Sequence, residues 1–125
     1  MVVQRDGADH AGLADTLSSF GADVIDVPVY RWTLPPDTDP ADRLIDAVLA
    51  GTVDAVTFTS GPSVLNLAVL AARRGLARDL EQAMRDVIVV AVGEVTAETL
   101  AGAGFTASVV PARPRLGAMV HAFAT

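Results

Sequence analysis

The sequence predicts an α/β fold built on a doubly wound parallel sheet. Three observations carry this. Short β-branched runs alternate with longer segments of helical period along the whole chain. The run at 87–92 is apolar throughout, as strands covered on both faces are. Glycines stand where helical patterns stop, at Gly21, Gly51 and Gly104.

The elements follow in order. Residues 2–4 are a first short strand, and in 10–20 the spacing of Leu13, Leu17 and Phe20 at i, i+4 and i+7 predicts a helix capped by Asp9. Residues 23–30 alternate Val and Ile with Asp and Pro, which predicts a strand with one polar face at a sheet edge, because Pro28 cannot donate to a ladder. Pro35, Pro36, Pro40, Asp37 and Asp39 make 31–40 a linker. Ala41, Leu44, Ile45 and Val48 share a helical face that ends at Gly51. Residues 54–59 are a third strand, and the turn Ser60-Gly61-Pro62-Ser63 opens a helix over 64–74 that is apolar all round and expected to be covered on two sides. A short helix over 78–84, the strand 87–92, a helix over 96–103, a fifth strand at 107–110 and a closing helix over 116–123 complete the pattern. Right-handed crossovers arrange such a (βα)5 chain most simply as a five-stranded sheet of order 2-1-3-4-5.

The 125 residues are the size of one ordinary domain, about 100–200 residues, so residues 1–125 are expected to form a single unit: a first βαβ segment at 1–30, the linker 31–40 and the remaining units at 41–125. The composition, 51% hydrophobic and 19% charged, is that of a folded globular chain. The net charge of −6 argues against nucleic acid, whose binders carry a basic footprint. All nine basic residues are Arg, which removes Schiff-base and P-loop chemistry. It also removes the phospho-receiver reading, which needs a Lys and an acceptor Asp at the end of the third strand, where this chain has Thr59-Ser60. Cysteine is absent, and His10 and His121 stand alone at opposite ends, so no metal site is expected. The acidic stretch Asp37, Asp39, Asp42 and Asp46 lacks the EF-hand register and reads as a solvated face. No segment has the apolar length of a signal peptide or a membrane span, so a cytoplasmic protein without membrane partners is expected.

In doubly wound sheets ligands sit beyond the carboxyl ends of the strands. The segments there are Arg5-Asp6-Gly7, Ser60-Gly61-Pro62-Ser63 and Gly93-Glu94-Val95-Thr96. Each joins a strand end to a helix start and offers unpaired N–H groups to an anion, a carboxylate or a phosphate. Ser60, Ser63 and Thr96 are ordinary helix caps as well as candidate donors. There is no GxGxxG, Walker A or GxSxG pattern.

The Val-Tyr-Arg end of the second strand (Val29-Tyr30-Arg31), the Phe58-Thr59-Ser60 turn and the Gly93-x-x-Thr96-Ala97 helix start, in this order and spacing, resemble the uroporphyrinogen-III synthase family of tetrapyrrole biosynthesis. The resemblance covers essentially all 125 residues and corresponds to about the second half of such an enzyme. It implies a flavodoxin-like fold and a lyase that, without a cofactor, cyclises the linear polycarboxylate hydroxymethylbilane to uroporphyrinogen III. Ring D inverts, the terminal hydroxyl leaves as water, and the resulting azafulvene closes through a spiro intermediate. By resemblance Tyr30 is the tyrosine that assists departure of the hydroxyl. Arg5, Gly7, Ser60, Gly61, Ser63, Gly93 and Thr96 are then the substrate-binding positions. Two departures stand out: Ser60-Gly61-Pro62 replaces Ser-Pro, and Gly93-Glu94-Val95-Thr96 replaces Gly-Pro-Thr-Thr, which removes a hydroxyl and adds a negative charge.

Family members have two similar α/β lobes, and on that pattern residues up to Tyr30 belong to one lobe, those from Asp54 to the other. The sheet is then completed either by residues 1–30 folding onto 41–125 or by exchange of 1–30 between two chains in a homodimer. The alternative function is an inactive, self-associating α/β module that at most binds anionic ligands.

Overall fold

A computed structural model describes residues 1–5 and 11–125. The chain divides into two compact units, Met1–Leu34 and Pro35–Thr125, with the boundary inside the proline-bearing segment read as a linker.

Unit 1 is one βαβ: β1 (Val2–Arg5), α1 (Ala11–Ser19) and β2 (Ile25–Pro28). The strands are parallel, with Val2 opposite Ile25 and Arg5 opposite Pro28. Gly21 ends the helical segment with φ +84°, a conformation that favours glycine. The Asp9 cap and His10 lie outside the described residues. Among the described residues of this unit no side chain is buried.

Unit 2 holds the core. Its elements are α2 (Asp39–Leu49), β3 (Ala55–Phe58), α3 (Gly61–Arg73), α4 (Ala77–Ala83) with a 3-10 turn at Met84–Asp86, β4 (Ile88–Ala91), α5 (Glu94–Gly102) and α6 (Leu116–Ala124). β3 and β4 are parallel, with Val56 opposite Val89 and Phe58 opposite Ala91. These four side chains share one face of the pleat and are all buried. α2, α3, α4 and α5 pack on one another and form the layer on that face, while α6 packs on β4. Ile45, Val64, Leu80, Val89, Val90 and Leu100 are the largest fully buried side chains.

Arg74, just past α3, ties that helix to α2: its guanidinium donates to Asp46 at 2.6 Å and to the Asp42 carboxylate and carbonyl at 3.4 and 3.2 Å. The hydrogen bond to Asp46, and then the two negative charges, raise the Arg74 pKa above its ordinary value.

Four expectations change. The single sheet of order 2-1-3-4-5 is not the observed arrangement: among the described residues the strands pair as two separate two-stranded sheets, β1 with β2 and β3 with β4. The fifth strand is a single parallel bridge, Val90 to Val109. There the Ser108 hydroxyl accepts from the Val89 N–H at 3.2 Å, the place a strand carbonyl would take, so the ladder stops after one rung. The linker shortens, because α2 begins at Asp39 with Pro40 in its first turn, where a missing N–H costs nothing. Finally, α3 is covered on one side only: Val64, Leu67, Leu70 and Ala71 are buried, while Leu65 and Val69 are exposed.

Candidate functional site

The carboxyl ends of β3 and β4 lie side by side, and each feeds a helix. Ser60 caps α3 from extended backbone (φ −159°, ψ 151°), its Oγ accepting from the Ser63 N–H at 3.4 Å. The Ser63 hydroxyl returns a bond to the Ser60 carbonyl at 2.6 Å. Ser60 is therefore the helix cap, and the Ser63 hydroxyl is engaged by the Ser60 carbonyl. Gly61 opens α3 against α5: a Cβ there would stand 3.0 Å from the Thr99 Oγ1. The start of α3 thus packs on the second turn of α5.

α5 begins at Gly93, whose backbone is fully extended (φ −177°, ψ −179°). Glycine is required here by space and not by conformation, since an added Cβ would lie 2.6 Å from the Pro114 Cβ and 3.3 Å from its Cα. The chain after the Val109 bridge therefore closes directly over the turn that starts α5. Between them is a cavity of about 410 Å³, lined by Glu94, Val95, Thr96, Pro111 and Pro114 among others. Thr96 is 5% exposed, and its hydroxyl has no hydrogen-bond partner among the described residues. A buried, unsatisfied hydroxyl costs stability unless something else engages it. It sits in the first turn of α5, where the Glu94, Val95 and Thr96 N–H groups precede the first intrahelical bond, from Ala97 to Gly93. Hydroxyl, free amides and the positive end of the helix dipole converge on one side of the cavity, a set of donors suited to a carboxylate.

The structure thus brings Gly93 and Thr96 together around one cavity, with Ser60, Gly61 and Ser63 at the neighbouring helix start. Arg5 ends β1, opposite Pro28, and Gly7 lies outside the described residues. Tyr30 belongs to unit 1, where its half-exposed ring meets Trp32 edge-on, with ring centres 5.7 Å apart at 85°. Sequence reasoning missed the loop that closes the cavity, Pro111 to Arg115. Its signal was the Pro-Ala-Arg-Pro-Arg run before the last helix. Arg113 and Arg115 flank Pro114 there and form no ion pair among the described residues.

The family model described as Uroporphyrinogen-III synthase HemD matches residues 3–121. A protein of Methanothermobacter thermautotrophicus, provisionally named a uroporphyrinogen-III synthase, is 43% identical over 108 residues, covering 86% of this chain and 42% of the relative. Bacillus subtilis YjjA, an uncharacterised protein, is 33% identical over 121 residues, 96% of this chain and 44% of its own length. The crystal structure of uroporphyrinogen III synthase from Thermus thermophilus superposes with a TM-score of 0.69 at 30% identity, over 98% of this chain and 46% of that one. The chain spans about half the length of the curated relatives it matches. With 119 of its 125 residues inside the family match and its fold shared with a solved member, the chain belongs to the uroporphyrinogen-III synthase family.

Proposed function

We propose that the chain acts in tetrapyrrole biosynthesis as a uroporphyrinogen-III synthase, taking hydroxymethylbilane as substrate. The observation that carries this is the buried, unpartnered Thr96 hydroxyl in the first turn of α5, lining a cavity among free helix-start amides. The substrate is a linear tetrapyrrole bearing carboxylates, and each carboxylate that leaves water needs donors in return. The Glu94, Val95 and Thr96 amides and the Thr96 hydroxyl supply them, and Arg113 and Arg115, next to Pro114 in sequence, add positive charge to the loop that closes the cavity. Ser60, Ser63 and Gly61 form the adjacent helix start for a second carboxylate, and Arg5 and Gly7 are proposed to contact substrate from unit 1.

Tyr30 takes the role of a hydrogen-bond donor to the departing hydroxyl. Its phenol O–H passes a proton to the hydroxyl as the C–O bond breaks, so that water leaves, and the pyrrole N–H gives up its proton to the phenolate as its electron pair forms the azafulvene. Closure of ring D through its substituted carbon, opening of the spiro intermediate and reclosure then give the inverted isomer. These steps transfer protons and carbon bonds only, so the chemistry needs positioning and acid assistance from the chain.

The test is to incubate the chain with hydroxymethylbilane and separate the product isomers. Ring-D-inverted product above the spontaneous, non-inverted background supports the reading, and Tyr30→Phe should reduce it. A second reading, a module that binds polycarboxylates without turnover, is favoured by Glu94 at the cavity. It predicts thermal stabilisation by uroporphyrin with no isomer formed.

A further inference from the structure

Glu94 is the discordant residue of the candidate site. It opens α5 among donors suited to a carboxylate, yet it carries a negative charge of its own. The ordinary role of an acid in a first helical turn is to complement the helix dipole, which needs no cavity. Glu94 has two. Besides lining the cavity of about 410 Å³ with Thr96, it lines a second one of about 480 Å³, which runs along α5 past Glu98 and Ala101 to Phe105 and Thr106. Glu94 and Val110 are common to both linings, so they form the divide between the two cavities. No hydrogen bond or ion pair engages the Glu94 carboxylate among the described residues.

These walls ask more of a ligand than a carboxylate. On the α5 side of the first cavity, the buried, unpartnered Thr96 hydroxyl and the helix-start amides are donors. The wall formed by Val95, Val110, Pro111 and Pro114 is apolar and suits the face of a flat ring. Glu94, ionised, is an acceptor only, with two oxygens, so a group that lies against it must donate. A pyrrole ring with an acid arm has all three features: a carboxylate, an apolar ring face and an N–H that donates and cannot accept. Ligand cavities commonly measure about 300–1,000 Å³, and both of these are at the low end, with room for a single substituted ring each and not for a chain of four.

We infer that Glu94 binds the pyrrole N–H groups of two successive rings of the substrate, one ring in each cavity. Two pyrroles joined through one bridging carbon can turn both N–H groups to the same side, and a carboxylate accepts them together, as it accepts the two parallel N–H groups of an arginine fork. The acid arm of the first ring lies on the Thr96 hydroxyl and the α5 amides. Glu98, in the second cavity, turns the acid arms of the second ring toward solvent. The charge that opposes the acid arms thus meets the positively polarised part of the substrate. It also selects, because a ligand with the same carboxylates and no accessible N–H meets only its repulsion. The inference rests on the reading that the Thr96 cavity takes a substrate carboxylate, and it adds the residue that recognises the pyrrole itself.

Glu94→Gln keeps the size of the side chain and removes its charge, and it separates the two roles of Glu94 by sign. The probes are a dipyrromethane bearing acetate and propionate arms, kept under nitrogen, and uroporphyrin, whose N–H groups face the centre of a closed macrocycle, out of reach of an external carboxylate. Each is titrated calorimetrically into the whole chain, parent and variant. Both should bind the parent. The substitution should weaken the dipyrromethane about tenfold or more, since a charged acceptor of two hydrogen bonds becomes a neutral one. Uroporphyrin binding should hold or tighten, because a like charge is gone. The pyrrole N–H resonances of the dipyrromethane should also move downfield on binding to the parent, and less on binding to the variant. If Glu94 only complements the helix dipole, the substitution tightens both ligands, and that result overturns the proposal. So does a dipyrromethane affinity left unchanged, or an equal weakening of both ligands, which marks damage to the helix start. A parent chain that binds uroporphyrin and not the dipyrromethane overturns it while the carboxylate reading stands; one that binds neither overturns both.

Discussion

Gly93→Ala is the sharpest probe of how the candidate site is built. The new Cβ would stand 2.6 Å from the Pro114 Cβ, where carbon atoms prefer about 3.5–4.0 Å, so the two groups must separate by about 1 Å. Neither can turn away: the proline ring is fixed to its backbone, and its Cα is already 3.3 Å from the added carbon. The backbone at Gly93 is extended and alanine adopts it freely, so the whole effect is steric. Forced overpacking of this kind costs about 1–3 kcal/mol. For a unit the size of Pro35–Thr125 that is a fall in Tm of roughly 4–24 °C, at about 4–8 °C per kcal/mol. Thermal unfolding followed by circular dichroism measures it. Gly102→Ala is the internal control, in the same helix with nothing within 4 Å of the added carbon, and it should raise stability by up to about 1 kcal/mol. Combining Gly93→Ala with Pro114→Gly should recover part of the loss beyond additivity. A Gly93→Ala chain that melts at or above the parent would refute the close approach of the loop and the cavity it encloses.

Other outcomes follow from the same geometry. Ser60→Ala removes the α3 cap and should cost about 1 kcal/mol in urea unfolding, whereas Ser60→Asp keeps the cap and sets a negative charge where a substrate carboxylate is proposed, so it should hold stability and lose binding. Leu100→Ala opens a cavity in a fully buried position and should cost about 2–5 kcal/mol. Arg74→Ala should lower Tm modestly, and the difference should shrink in molar salt because the Asp46 and Asp42 pairs are partly exposed. The raised Arg74 pKa gives this tie a definite pH sign: its stabilisation is complete below the ordinary arginine value and is lost only as pH rises through the folded one, so the Arg74→Ala difference should stay flat across neutral and mildly alkaline pH.

Element type was largely legible because the apolar spacing of Leu44, Ile45 and Val48, or of Val87 to Val92, answers directly to burial on one face or two. Sheet connectivity was not. Periodicity tells which face of a strand is buried but nothing of which edges meet, and β1 and β3 carry no residue that fixes their partners. The fifth strand failed on one hydroxyl: Ser108 reads as a tolerated strand residue, yet its side chain takes the place of a ladder carbonyl. At the site, the Gly-x-x-Thr start of α5 was readable as a cap and a donor. That Gly93 must be glycine was not, because the reason is Pro114, 21 positions along the chain and near only in three dimensions.

The claim at the centre of this account is that the Thr96 hydroxyl is kept buried for a substrate carboxylate and not for the fold. Thr96→Val replaces that hydroxyl by a methyl of nearly the same shape, and titration with uroporphyrin, run beside thermal unfolding of the same variant, separates the two roles. The account predicts unchanged or higher Tm, since an unsatisfied polar group is removed, together with binding weakened about 5- to 30-fold. Loss of stability with binding intact would contradict it.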